Sequence, residues 1–122
     1  MKLSATFDYK NPLETRVITI NSSPDLAAGE TLTAITSTTI SVVKGVDPAI
    51  TLTVAQAAIN VQSFTIMNSS GVSVTVPVST AVQAVVSGGL DGVLYLLTFL
   101  CATSNPNKTI AVTGILPVSV SV

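Results

Sequence analysis

Three glycines fall within five positions at Gly88-Gly89-Leu90-Asp91-Gly92, and strand-like sequence flanks them on both sides. Glycine is the default residue where φ must be positive, so this segment can be neither helix nor flat strand. Thr80 to Val86 runs into it, and Val93 to Thr103 runs out of it as the most apolar stretch of the chain. A tight connection feeding a long apolar strand belongs to an antiparallel β protein. Gly88, Gly89 and Gly92 are therefore read as structural, together with Tyr95 near the start of the following strand.

Tyr95 stands where a tyrosine corner would place it. In an immunoglobulin-like sandwich the hydroxyl of such a tyrosine bonds back to nearby backbone. Asp91 fits that pattern, while Gly92 comes one residue early. A glycine hairpin with a core tyrosine and a true corner both remain open on these residues.

Composition supports the β reading. Val, Thr, Ser and Ile supply 18, 17, 14 and 9 of the 122 residues. β-branched side chains suit pleated surfaces and are poor in helices. The length fits one sandwich of roughly 100 residues. We expect an all-β chain, an immunoglobulin-like antiparallel β-sandwich over residues 15–122, preceded by an N-terminal arm over 1–14.

Charge is scarce and uneven. Charged residues are 9% of the chain, against about 25% in ordinary soluble domains. None occurs from Pro48 to Leu90, from Gly92 to Asn107, or from Thr109 to Val122. With 5 basic and 6 acidic side chains, no basic patch exists to grip phosphates, so nucleic acid is not expected as a partner. A surface with so little charge is either solvated by Ser and Thr hydroxyls or covered by partner subunits, and the second reading is the expectation here.

The chain predicts little chemistry. It has no His, so Ser-His-Asp and Cys-His arrangements and histidine metal sites cannot be built. Asp8, Glu14, Asp25, Glu30, Asp47 and Asp91 each abut a turn or a strand end, where carboxylates cap and close turns. Gly88-Gly89-x-x-Gly92 precedes a strand and not a helix, so it is no phosphate loop. Cys101, the single cysteine, reads as a small buried hydrophobe. Asn-x-Ser/Thr matches at Asn21, Asn68 and Asn107 read as chance in a chain so rich in Ser and Thr. No catalytic residue, metal or cofactor is expected. The residues from Met1 to Asp8 lack the apolar core of a signal peptide, and the run from Val93 to Ala102 is too short for a membrane helix.

Patterning places the strands. Thr15 to Ile20 alternates, with Ile18 and Ile20 on one face. Thr31 to Val43 is a long stretch whose apolar phase changes between Leu32, Ile35 and Ile40, which predicts a bulge or a switch between sheets. Ala49 to Val54 reads as a short strand and Ala55 to Ile59 as one helical turn. Val61 to Met67 and Val72 to Val78 form a hairpin around Asn68-Ser69-Ser70-Gly71, with Val72, Val74, Val76 and Val78 on one buried face. Pro77 and Pro117 mark edges, and Gly114 reads as a bulge. Val118, Val120 and Val122 alternate to the last residue. Two edges for pairing with a neighbour follow, at Val72 and Val74 and at Val118 and Val120. Phe7 and Tyr9, in the arm, either anchor a neighbouring subunit or fold onto their own sandwich.

The order of motifs resembles small immunoglobulin-like proteins encoded among the virion genes of tailed bacteriophages. The matching segments are Lys10-Asn11-Pro12-Leu13-Glu14, then Leu26-Ala27-Ala28-Gly29-Glu30-Thr31-Leu32, Gly45-Val46-Asp47, and Gly88 to Tyr95. Two departures stand out: a Trp common in the second strand is missing, and the later strands are unusually uncharged. The resemblance implies a non-enzymatic virion structural protein, a tail, neck or fibre-adaptor subunit. It would be a homo-oligomer in contact with other virion proteins, with no membrane or nucleic-acid partner. A capsid (head) decoration protein is the nearest alternative. A bacterial adhesin or carbohydrate-binding module is a more distant one.

Overall fold

A computed structural model describes residues 5–67 and 70–121, so the Met1–Ser4 end of the arm, Asn68 and Ser69 of the hairpin loop, and Val122 lie outside the described residues. Nine strands follow in order: β1 (Ala5–Thr6), β2 (Thr15–Asn21), β3 (Leu32–Lys44), β4 (Thr53–Ile59), β5 (Phe64–Met67), β6 (Ser73–Val76), β7 (Ala81–Ser87), β8 (Leu94–Thr103) and β9 (Thr109–Pro117). One 3₁₀ turn at Ser23–Asp25 is the helical structure among the described residues. The chain is all-β.

Two sheets form a sandwich-like pair, with strand orders β1-β9-β8-β3 and β2-β7-β4. All pairings are antiparallel except β1 beside β9. The core lies between their inner faces. Ile18, Ile20, Val82, Ala84 and Val86 come from one sheet, and Tyr95, Leu97, Phe99, Cys101, Val112 and Leu116 from the other. Each large apolar side chain sealed there contributes about 1.5–3 kcal/mol. β8 lies between β9 and β3, and its alternation of buried residues with half-buried or exposed ones is the period-2 signature of a strand with one face in the core.

Several expectations need correction. Strand β4 begins at Thr53, after a turn at Pro48 and Ala49, so no strand covers Ala49 to Leu52. Ala55 to Ile59 is strand and not a helical turn. Pairing with β7 overrides the local helix propensity of the alanines, and the irregularity is a bulge between Ala55 and Ala58 with Gln56 at φ +54°. The phase change in β3 does appear as register shifts, at Leu32/Ala34, Ile35/Ser37 and Val42/Lys44.

Gly114 is not a bulge. It pairs in regular register with Leu97. Its missing side chain makes room for Phe7, because a Cβ there would overlap the Phe7 ring, 2.8 Å from Cζ, and come within 3.2 Å of Ile20 Cδ1. The Phe7 amide donates to the Ile115 carbonyl, so the arm is laid along β9 as a strand. Phe7 therefore folds onto its own sandwich, half-buried against the core.

Candidate interaction surface

The outer face of the β9-β8-β3 sheet is uncharged over most of its area. Strand alternation points Leu94, Leu96, Thr98, Leu100 and Ala102 of β8 away from the core, with Ala111, Thr113, Ile115 and Pro117 of β9 beside them. On β3 the register sets Ser37, Thr39 and Ser41 next to Leu100, Thr98 and Leu96. Leu100 is 39% exposed, and most of the others are half-buried by their neighbours along the sheet. Lys44 lies at one corner, where it lines a groove of about 350 Å³ with Tyr9, Leu94 and Pro117. Tyr9 is 57% exposed there.

The opposite sheet is built differently. Its outward residues include Thr15, Thr19, Gln83, Ser87 and Thr53, with Val17 and Val85 among them. Thr53 and Ser87 share a hydroxyl–hydroxyl bond of 2.6 Å. One outer face thus sets a single apolar row at Val17 and Val85 among hydroxyls and an amide, and the other carries more and larger apolar side chains, although both belong to the same small sandwich.

A buried polar frame holds the end of the sandwich where the glycine connection lies. Gly88 and Gly89 have φ of +77° and +92°, and a Cβ on Gly88 would sit 2.6 Å from the Thr51 carbonyl oxygen. Lys10 is fully buried. Its Nζ donates to the carbonyls of Gly88 at 2.7 Å and Asn11 at 2.9 Å. Burial draws its ammonium below the ordinary lysine range, and the Glu14 carboxylate opposes that.

Tyr95 ties two loops together in the same region. Its hydroxyl accepts from the Leu90 amide at 2.9 Å and donates to Asp47 Oδ2 at 2.6 Å. Asp47 Oδ2 also accepts from the Thr51 amide and hydroxyl, each at 2.8 Å. The Tyr95 bond is the largest cause holding the Asp47 carboxyl below its usual range. Burial, with the Asp47 bond behind it, pushes the Tyr95 phenol up.

At the same end, the Val120 amide donates to Asp91 Oδ1 at 2.9 Å. This frame displays Leu13, Val46, Leu90 and Val120 as exposed apolar loop residues.

The β5–β6 hairpin leaves the other end. Among the described residues it pairs only with itself, as a separate two-stranded sheet. Such a hairpin is marginal in water on its own. Its base is clamped by Asn60, which is buried. Asn60 Oδ1 accepts from the Thr80 and Ala81 amides at 3.0 and 2.9 Å, and Nδ2 donates to the Gln62 and Pro77 carbonyls, both at 2.9 Å. All four side-chain capacities of the amide are filled. From that base the apolar face runs outward, from Val76, which is sealed, to Val74 at 36% and Val72 at 56% exposure.

The residues singled out from sequence are thus scattered. Val72, Val74 and Val78 are exposed, so the expected one-sided burial of that strand holds only at Val76, where the hairpin meets the body. Val118 is 2% exposed and is no free edge. Its side chain packs over Gly89, and Lys10 bridges it in parallel, with the Ser119 amide donating to the Lys10 carbonyl. Val120 is exposed beside Asp91. Tyr9 lies at the corner of the leucine-rich face, and Phe7 is half-buried against the core. Sequence reasoning missed Lys10, Asn60 and the Asp47–Tyr95 pair as a frame. A lysine followed by Asn-Pro, and Asp before Pro48, were the available signals.

Comparison with protein-family models, with curated proteins and with solved structures returned no match to this chain. Among the described residues, no group of three or more His, Cys, Asp or Glu could hold a metal ion. None of their helices is long and apolar enough to cross a membrane.

Proposed function

We propose that this chain is a non-enzymatic structural subunit of a bacteriophage virion, an immunoglobulin-like sandwich that assembles with copies of itself and with other virion proteins. The observation that carries the assembly reading is the leucine-rich, nearly uncharged outer face of β8 and β9. Leucines on both sides of the Thr39–Thr98–Thr113 row give this face its apolar area, and exposed apolar patches mark interaction sites. The immunoglobulin-like reading is supported by the strand orders β2-β7-β4 and β1-β9-β8-β3. It is supported too by the Tyr95 hydroxyl, which accepts from backbone five residues upstream. The virion reading is supported by the motif order from Lys10 to Tyr95.

The subunit belongs to a tail, neck or fibre adaptor, with a head decoration protein as the neighbouring reading. Its working parts are three. The leucine-rich face and the β5–β6 hairpin supply apolar contact, and the loop end bearing Leu13, Val46, Leu90 and Val120 supplies a second docking end. The carboxylates Glu14, Glu30 and Asp47 are engaged in turn and loop hydrogen bonds, which suits a structural role. Deleting the coding sequence from a phage genome that carries it tests the proposal. Particles lacking one defined tail, neck or head component are the expected outcome. Complete, fully infectious particles would overturn it.

A further inference from the structure

We infer that the outer face of β8 and β9 is covered by the same face of a second copy, in a two-fold pair centred near Thr98. The inference rests on the assembly reading above and names the partner. Among the outward residues of β8 and β9 there is no ionisable side chain, and β3 adds only Lys44 at a corner. A partner presenting charge to this face would lose hydration at groups that nothing here could pair. The same face on another copy meets that condition without further assumption.

Size agrees. β8 runs for 10 residues, which is about 34 Å of strand, and three strands span about 14 Å. The plane is therefore roughly 480 Å² per copy, close to 1,000 Å² over two copies before side-chain relief is counted. Specific interfaces begin near that value. Leu94, Leu96 and Ile115 on one side of the Thr39–Thr98–Thr113 row and Leu100 on the other supply the apolar contact, and Tyr9 and Lys44 fall at the rim, where polar and amphipathic groups belong. The opposite sheet turns out a single apolar row, Val17, Val85 and Ala55, between Thr15, Ser87 and Thr53 on one side and Thr19 and Gln83 on the other, so it offers a smaller apolar area.

An isologous pair brings residues on its axis against their own copies. Thr98 is the middle outward residue of β8, flanked by Thr39 and Thr113 on the neighbouring strands. Cys101, the one native thiol, is buried, so Thr98→Cys adds a single reactive reporter.

Analytical ultracentrifugation of the full chain, with Thr98→Cys oxidised under mild conditions, is the test. The wild type is expected to sediment as a dimer and Thr98→Cys to form a covalent dimer. Leu100→Arg should weaken association at least a hundred-fold while keeping the wild-type circular dichroism spectrum. Val17→Arg, on the opposite sheet, should leave the dimer unchanged. A wild type that stays monomeric up to about 1 mM, a Thr98→Cys chain that forms no covalent dimer, or a folded Leu100→Arg that still pairs would each overturn the inference. A monomer that is still built into particles would sink this pairing and leave the virion reading standing. A dimer formed by a chain absent from particles would do the reverse.

Discussion

The Tyr95 hydroxyl lies 2.6 Å from Asp47 Oδ2, although 48 residues separate the two in the chain. That bond joins the loop after β3 to the strand after the glycine connection, and the same hydroxyl holds the Leu90 amide. The buried end of the sandwich is thus closed by one phenol. Tyr95→Phe strips a partner from both groups and should cost about 1–3 kcal/mol in a denaturant melt. Asp47 has a folded-state pKa below its unfolded one. Its contribution is therefore present above about pH 4 and lost as pH falls through the folded value. The gap between wild type and Tyr95→Phe should narrow below pH 4. A gap that is zero at neutral pH would show Tyr95 to be plain core filling.

Asn60 gives a sharper electrostatic test. In Asn60→Asp one oxygen can still accept from the Thr80 and Ala81 amides, but the other faces the Gln62 and Pro77 carbonyls. The ionised form is disfavoured there, so the folded pKa of the new carboxyl is raised. Stability is then greatest where that carboxyl is protonated, and falls as pH rises through its unfolded value near 4. Thermal melts should show Asn60→Asp well below wild type at pH 7 and recovering part of the loss toward pH 4. A variant that melts like wild type at pH 7 would remove the clamp from the account.

The Phe7–Gly114 fit predicts a non-additive pair. Gly114→Ala puts a methyl where the Phe7 ring lies and should cost about 1–3 kcal/mol, as overpacking does. With Phe7→Ala already in place the methyl has room, so the double variant should be less destabilised than the two single changes summed, by 0.5 kcal/mol or more. Additive losses in chemical denaturation would mean that the ring does not occupy that space in solution.

These tests follow the line between what local pattern reveals and what it hides. The alternation of β8 from Tyr95 to Cys101, the face of Ile18 and Ile20, and the phase change in β3 were readable because each is a period-2 signal against one core. Ala55 to Ile59 reads as helical because alanine's helix propensity is local, whereas the pairing with β7 that overrides it is not. Gly114 reads as a bulge because a glycine in a strand looks the same in sequence whether it bends the backbone or receives a ring. Lys10 reaching Gly88 and Tyr95 reaching Asp47 join residues 78 and 48 positions apart, and no periodicity carries such contacts. The leucine-rich outer face was legible only as a gap in charge. Its extent needed the register of β3, β8 and β9.

The most direct measurement for the central claim is quantitative mass spectrometry of gradient-purified phage particles whose genome encodes this chain. The chain is expected in the particle band at a fixed, multiple copy number. It should resist high-salt washing, because apolar contacts are not screened as ion pairs are. A chain found only in the soluble fraction, or released from particles by salt alone, would contradict it.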